Sequence, residues 1–207
     1  MASPVPVYAP PAGAPLKSRL AHAVLRAFGW RIRFGALPGP RGVIVAYPHT
    51  SNWDFFVGIG VIWSLDLPIR WIGKESLFTG RLGAVLGPLL RAWGGRPVFR
   101  HYSTGMVGQL AALMRAEPWC WLALSPEGTR ARRQDWRSGF YHLARAAEVP
   151  VGVAYLDYPA REVGVAGFVR LVGEVEADMA AIAALLAGHH GRHPQLESPV
   201  RLHREQA

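Results

Sequence analysis

Two polar segments of the sequence carry side chains suited to acid–base and anion chemistry. The first is Pro48-His49-Thr50-Ser51-Asn52-Trp53-Asp54. If His49 leaves a strand and Asp54 falls in the first turn of the next helix, with Ser51 or Asn52 as the cap, the carboxylate can return onto the imidazole. Aspartate would then accept from one ring nitrogen, fix the tautomer and stabilise the imidazolium. The other nitrogen would be free to take a proton from a hydroxyl. This is a base with its orienting acid and without a protein nucleophile. Ser51 reads as a cap or turn residue, and no Gly-x-Ser-x-Gly elbow occurs. A plainer reading of Asp54 alone is a first-turn acid on a helix dipole.

The second segment is Ser125-Pro126-Glu127-Gly128-Thr129-Arg130. It is a turn by composition, in which Gly128 permits close backbone approach while Thr129 and Arg130 offer donors. Arg130 opens a basic cluster with Arg132, Arg133 and Arg137, and guanidinium forks match phosphate oxygens. The plainer reading is a solvated basic loop, with Glu127 as an ion-pair partner. Two further cations follow short apolar runs, Lys74 after Ile69–Ile72 and Arg100 after Pro97–Phe99. Neither a dinucleotide Gly-x-Gly-x-x-Gly nor a phosphate-loop Gly-Lys-Ser/Thr is present.

The elements that must position these groups alternate along the chain. Strands are expected at Val43–Tyr47, Ile69–Ile72, Pro97–Phe99, Cys120–Leu124, Val151–Tyr155 and Val163–Val172. Helices are expected at Trp53–Trp63, Ser76–Trp93, Ser103–Ala116, Ser138–Ala147 and Ala177–Ala187. The alternation predicts a single α/β domain with a largely parallel central sheet flanked by helices. In such sheets ligands gather beyond the carboxyl ends of the strands, where both polar segments fall.

Composition narrows the function classes. Half of the 207 residues are hydrophobic and 18% are charged, which excludes a disordered chain. One cysteine, Cys120, excludes an intrachain disulfide and a cysteine-based zinc cluster, and no metal site is expected. The formal net charge is +9, and no acidic residue precedes Asp54, whereas Lys17, Arg19, Arg26, Arg31, Arg33 and Arg41 do. Such asymmetry suggests a polyanionic partner. No zinc finger, aromatic RNA-binding strand or basic-leucine region supports nucleic acid. Residues 1–15 are Pro/Ala-rich and read as a disordered tail rather than a secretory signal. Residues 16–36 read as a basic amphipathic helix, with Leu20, Ala21, Val24, Leu25, Phe28 and Ile32 on one face and Arg19, His22, Arg26 and Arg33 opposite. It could pack on its own domain or lie in a membrane interface. No apolar run reaches the roughly 20 residues of a spanning helix.

Taken in order, these segments resemble the phospholipid/glycerol acyltransferase family, whose best-known members are the 1-acylglycerol-3-phosphate acyltransferases. Its His-x4-Asp block is matched by His49 and Asp54, with Ser51 in its usual place. Its Lys-containing helix start and Arg-terminated strand are matched by Lys74 and Arg100. Its Pro-Glu-Gly-Thr-Arg block is matched by Pro126 to Arg130, and its Val-Pro strand start by Val149-Pro150-Val151. The resemblance covers roughly residues 40–160. Pro48 and Arg137 depart from the Asn and Lys common at those places.

The resemblance implies that His49, held by Asp54, deprotonates the acceptor hydroxyl. The alkoxide then attacks the thioester of acyl-CoA or acyl-carrier protein, with no acyl-enzyme and no cofactor. Ser51, Lys74, Arg100, Glu127, Gly128, Thr129 and Arg130 would position the acceptor, a lysophospholipid or a glycerol-phosphate type. The implied setting is peripheral, on the cytoplasmic face of a membrane lipid surface. Trp53, Phe55 and Phe56 are candidates for the acyl groove. A thioesterase or lipid hydrolase using the same pair, or transfer to another acceptor such as a lyso-ornithine lipid, are the alternatives.

Overall fold

The computed structural model describes residues 5–98 and 106–202. Its centre is a seven-stranded sheet in the order β1-β7-β6-β2-β5-β3-β4. The strands are β1 (Arg31–Arg33), β2 (Arg41–Tyr47), β3 (Arg70–Lys74), β4 (Gly95–Val98), β5 (Cys120–Leu124), β6 (Val151–Asp157) and β7 (Glu162–Val169). β6, β2, β5, β3 and β4 run parallel, and β7 returns antiparallel along β6, with β1 parallel to it. The helices are α1 (Leu16–Ala27), α2 (Trp53–Leu65), α3 (Gly80–Ala92), α4 (Met106–Ala116), α5 (Gly139–Ala147) and α6 (Val175–Leu186). A short 3-10 turn, Glu75–Leu77, separates β3 from α3, so Lys74 ends a strand rather than opening a helix.

The sheet is covered on both faces, which is why its central strands lack polar alternation. Val43, Val45, Val151 and Val153 face a core built with Met114, Phe140, Leu143 and Ile182 of α4, α5 and α6. On the other face, Leu25 of α1 and Val57 of α2 pack with Trp30, Ile32, Leu156 and Val163. Gly42 on β2 is opposite Trp121 on β5, and a Cβ at Gly42 would stand 2.2 Å from the indole. The absent side chain is what lets this fully buried ring lie flat beside β2, with Nε1 donating to Gly39 O at 3.0 Å.

Two expectations for the N-terminal region are corrected. The helix expected over 16–36 stops at Ala27. Gly29 takes φ +80°, its N–H donates to Arg26 O at 2.8 Å, and Trp30 N–H donates to Leu25 O at 2.9 Å. This is a glycine-terminated C-cap, and it turns Trp30 and Ile32 inward and makes Arg31–Arg33 an edge strand. The tail is not free over its described part. Tyr8 N–H donates to Ile32 O, Phe34 N–H to Pro6 O, and the Tyr8 hydroxyl to Ser64 O. Edge strand β1 offers unpaired backbone groups, and the tail covers them.

The apolar face drawn on α1 also divides. Leu25 sits against Gly60 of α2, and the buried Ser18 hydroxyl donates to Ser64 O at 2.6 Å. Leu16, Leu20, Val24 and Phe28, spaced four residues apart, stay exposed, with Phe28 at 71%. Among the described residues, no helix is long and apolar enough to cross a membrane.

Candidate active site

The site forms where β2 runs out at Tyr47 and α2 begins at Trp53. Ser51 and Asp54 cap α2 reciprocally. Ser51 Oγ accepts from Trp53 N–H at 3.2 Å, and Asp54 Oδ2 accepts from Ser51 N–H at 2.8 Å. The same Oδ2 lies 3.4 Å from His49 Nδ1. The cap therefore holds the carboxylate that faces the imidazole. That separation is long for a hydrogen bond, as unliganded general-base pairs often are. The Tyr158 hydroxyl donates to Asp54 Oδ1 at 2.7 Å, so both oxygens are occupied although the side chain is 1% exposed. That contact raises the Tyr158 hydroxyl's pKa, after the larger effect of burial.

His49 keeps 23% of its side chain exposed. Burial lowers its pKa below the ordinary histidine value; Asp54 opposes the shift and Arg130 adds to it. The neutral imidazole, which a base must be, is thereby favoured near neutrality.

Glu127 is 1% exposed, and it ties the two segments together. Its Oε2 accepts from His49 N–H at 2.7 Å and its Oε1 from Ser198 N–H at 3.1 Å. Burial raises its carboxyl pKa, and these two bonds counteract the rise. Glu127 thus holds backbone rather than pairing with an arginine. Gly128 has φ +64°, a conformation that favours glycine, and a Cβ there would meet Arg137 Nε at 2.7 Å, so the arginine side chain would have to shift. Thr129 Oγ1 accepts from Ala131 N–H at 3.3 Å, which shapes the loop.

Arg130 is exposed and lines a cleft of about 410 Å³ with Thr50, Ser51, Trp53, Arg192 and Leu196. Lys74 lies at the same carboxyl edge, exposed, and is not among the residues of that cleft. Arg100 lies outside the described residues. Of the aromatic candidates, Trp53 and Phe56 are exposed, whereas Phe55 is partly buried and packs edge-on against Trp71 of the core at 4.8 Å. Among the described residues, no three His, Cys, Asp or Glu side chains gather as metal ligands.

Sequence reasoning missed Tyr158 and the segment from His189 to Ser198. Tyr158 reaches Asp54 across 104 residues, and Ser198 reaches Glu127 across 71. No local spacing marks either contact. The only sequence signal was position, since Tyr158 follows a strand parallel to β2 and must emerge at the same edge.

A largely parallel sheet flanked by helices, with a carboxylate facing an imidazole at its carboxyl edge, defines an α/β protein. The chain belongs to the acyltransferase family: the family model "Acyltransferase" matches residues 35–156, which hold both polar segments. Its fold is similar to that of the crystal structure of the 1-acyl-sn-glycerophosphate (LPA) acyltransferase PlsC from Thermotoga maritima. The TM-score is 0.51 at 15% identity, over 84% of this chain and 80% of that one. A comparison with curated protein sequences gives no match. The family and the α/β class are those that the four sequence blocks and the strand–helix alternation implied.

Proposed function

We propose that this acyltransferase moves a fatty acyl group from an acyl-CoA or acyl-carrier-protein thioester to the hydroxyl of a lysophospholipid or glycerol-phosphate-type acceptor. The observation that carries this reading is the His49–Asp54 pair, with Nδ1 toward the buried carboxylate and Arg130 in the adjoining cleft. With Nδ1 so engaged, Nε2 takes the acceptor proton as the oxygen attacks the thioester carbonyl. The C–S bond then breaks and the thiol leaves with a proton. General-base assistance of this kind contributes about 10²–10⁴-fold. No acyl-enzyme and no cofactor are required. The name of the Thermotoga maritima neighbour favours 1-acylglycerol 3-phosphate as the first acceptor to try.

The test is thioester cleavage and product mass spectrometry with oleoyl-CoA and oleoyl-carrier protein, each with and without a panel of acceptors. The panel holds 1-acylglycerol 3-phosphate, glycerol 3-phosphate and lyso-ornithine lipid. Acceptor-dependent thiol release with a matching acylated product is expected. Equal release without acceptor would make the protein a thioesterase.

The reaction is further proposed to take place at a membrane surface. Supporting this, α1 exposes Leu16, Leu20, Val24 and Phe28 beside the exposed Lys17, Arg19 and Arg26. Because α1 runs antiparallel to α2, the Phe28 end of this stripe lies toward the end of α2 that carries exposed Phe56 and Trp53. An apolar row flanked by cations suits an interfacial helix over an anionic leaflet. The double variant Leu20→Glu, Phe28→Glu is expected to weaken co-sedimentation with phosphatidylglycerol vesicles at least tenfold without lowering Tm, since both side chains are exposed. Undiminished binding would remove α1 from the docking surface.

A further inference from the structure

The segment from His189 to Ser198 crosses the carboxyl edge of the sheet like a strap, and it bonds to Thr50, Glu127 and Tyr158 of the site. The His189 ring stacks on Tyr155 at 3.7 Å, and its Nδ1 lies 3.0 Å from Asp157 Oδ2. Tyr158 N–H donates to His190 O at 2.9 Å, and Gly191 N–H to Glu197 Oε1 at 2.7 Å. His193 N–H donates to Thr50 Oγ1 at 3.2 Å. Ser198 closes the strap: it donates to Glu127, and its carbonyl accepts from the Tyr47 hydroxyl at 3.0 Å.

These bonds fix the strap's backbone over the His49 loop and carry Arg192 into the cleft that Arg130 lines. The two arginines come from separate segments, one from the loop after β5 and one from the strap, and both line the cleft. Among the described residues, neither has a carboxylate at ion-pair distance, and none that lines the cleft is acidic. The nearby Glu127 and Glu197 carboxylates are already taken by backbone N–H groups. Two exposed guanidiniums lining one cleft make it electropositive and favour an anion there, and arginine forks match the oxygens of a phosphate.

We infer that Arg192 is a second phosphate-holding residue of this site, acting with Arg130 to position a phosphate monoester or diester of one substrate beside His49. This rests on the reading of the protein as an acyltransferase for phosphate-bearing substrates. The phosphate has two sources, the acceptor's headgroup or the nucleotide part of a CoA donor.

The test compares wild type with Arg192→Gln and Arg192→Lys, and with Arg170→Gln as a charge control. Arg170 is exposed beyond β7, at the opposite edge of the sheet. Steady-state kinetics vary the acceptor (1-acylglycerol 3-phosphate against 1-acylglycerol) and the donor (oleoyl-CoA against oleoyl-pantetheine). A titration with glycerol 3-phosphate, followed by calorimetry, reads binding without turnover.

For Arg192→Gln, a KM rise of about 10- to 100-fold is expected for whichever substrate carries the phosphate held, with kcat within about threefold and Tm unchanged. The rise should vanish when that substrate lacks its phosphate. Arg192→Lys should recover part of the loss, and Arg170→Gln should change nothing. Unaltered KM for both substrates, a loss in kcat alone, or an equal effect in Arg170→Gln would overturn the role. If wild type transfers no acyl group yet binds glycerol 3-phosphate in an Arg192-dependent way, the site stands and the acyl-transfer reading falls. If wild type transfers but neither KM nor binding responds to Arg192, the reverse holds.

Discussion

His49→Ala is expected to lower kcat for acyl transfer by about 10²–10⁴-fold while the protein stays folded and still binds vesicles. The expectation combines two facts. Under the proposed mechanism the imidazole is the base, with Asp54 behind Nδ1 at 3.4 Å. Its removal leaves Asp54 still bonded to Ser51 N–H and the Tyr158 hydroxyl, so the α2 cap survives.

The pH profile gives a sharper reading than the loss itself. Burial holds the His49 pKa below the ordinary histidine value. The acidic limb of kcat/KM should therefore lie below that value, with full activity persisting into mildly acidic solution. Arg130→Gln removes a charge that depresses the pKa and should move this limb upward. Asp54→Asn removes the opposing carboxylate and should move it downward while leaving a weaker base. The linkage has the same sign in stability. A histidine depressed in the folded state contributes stability above its unfolded pKa, and this is lost as the pH falls through the folded value. The acid-side stability loss should be shallower in His49→Ala. Near-wild-type kcat in that variant would mean the base lies elsewhere.

Glu127→Ala is expected to cost both stability and activity. The carboxylate is buried and satisfies two backbone N–H groups, one from the His49 loop and one from the strap. Leaving a buried donor unpaired costs about 1–3 kcal/mol, so two cost roughly 2–6 kcal/mol. Urea unfolding should show the midpoint shift. Activity should fall because the backbone that aims His49 loses its tie. Glu127→Gln keeps one acceptor and turns an amide donor toward the other N–H, so its losses should be smaller.

The pH dependence separates this residue from an ordinary surface acid. Burial raises the Glu127 pKa. Its contribution to stability is greatest below the unfolded carboxyl value and is lost as the pH rises through the raised one. That slope should disappear in Glu127→Gln. An alanine variant as stable and active as wild type would reduce Glu127 to a bystander.

The sequence by itself determined whatever depends on neighbours along the chain. The alternation of β-branched runs with helical periods specified the layered sheet, because side-chain period and turn chemistry are local properties. The five-residue step from His49 to Asp54 was legible because a strand end, a Ser51 cap and one helical turn can span that distance, although Glu127 and Tyr158 then hold its two ends. The turn at Gly128 was legible for the same reason. Even the early end of α1 had its signal in Gly29, which a helical wheel passes over because it weighs hydrophobicity and not φ.

Only the tertiary structure decided what joins distant segments. It sent half of the α1 apolar face inward and left the Leu16–Phe28 row outside. It packed Phe55 against the core while Phe56 stayed exposed, and it turned Glu127 onto two backbone amides instead of an arginine. It also supplied Tyr158 and the strap. β7 reverses along β6, α6 runs back under the sheet, and the chain re-emerges at the carboxyl edge 140 residues after the loop it covers, as the bond from His193 N–H to Thr50 Oγ1 records with a separation of 143. Contacts at that separation are set by how layers stack and where the chain reverses, and no local residue pattern encodes them.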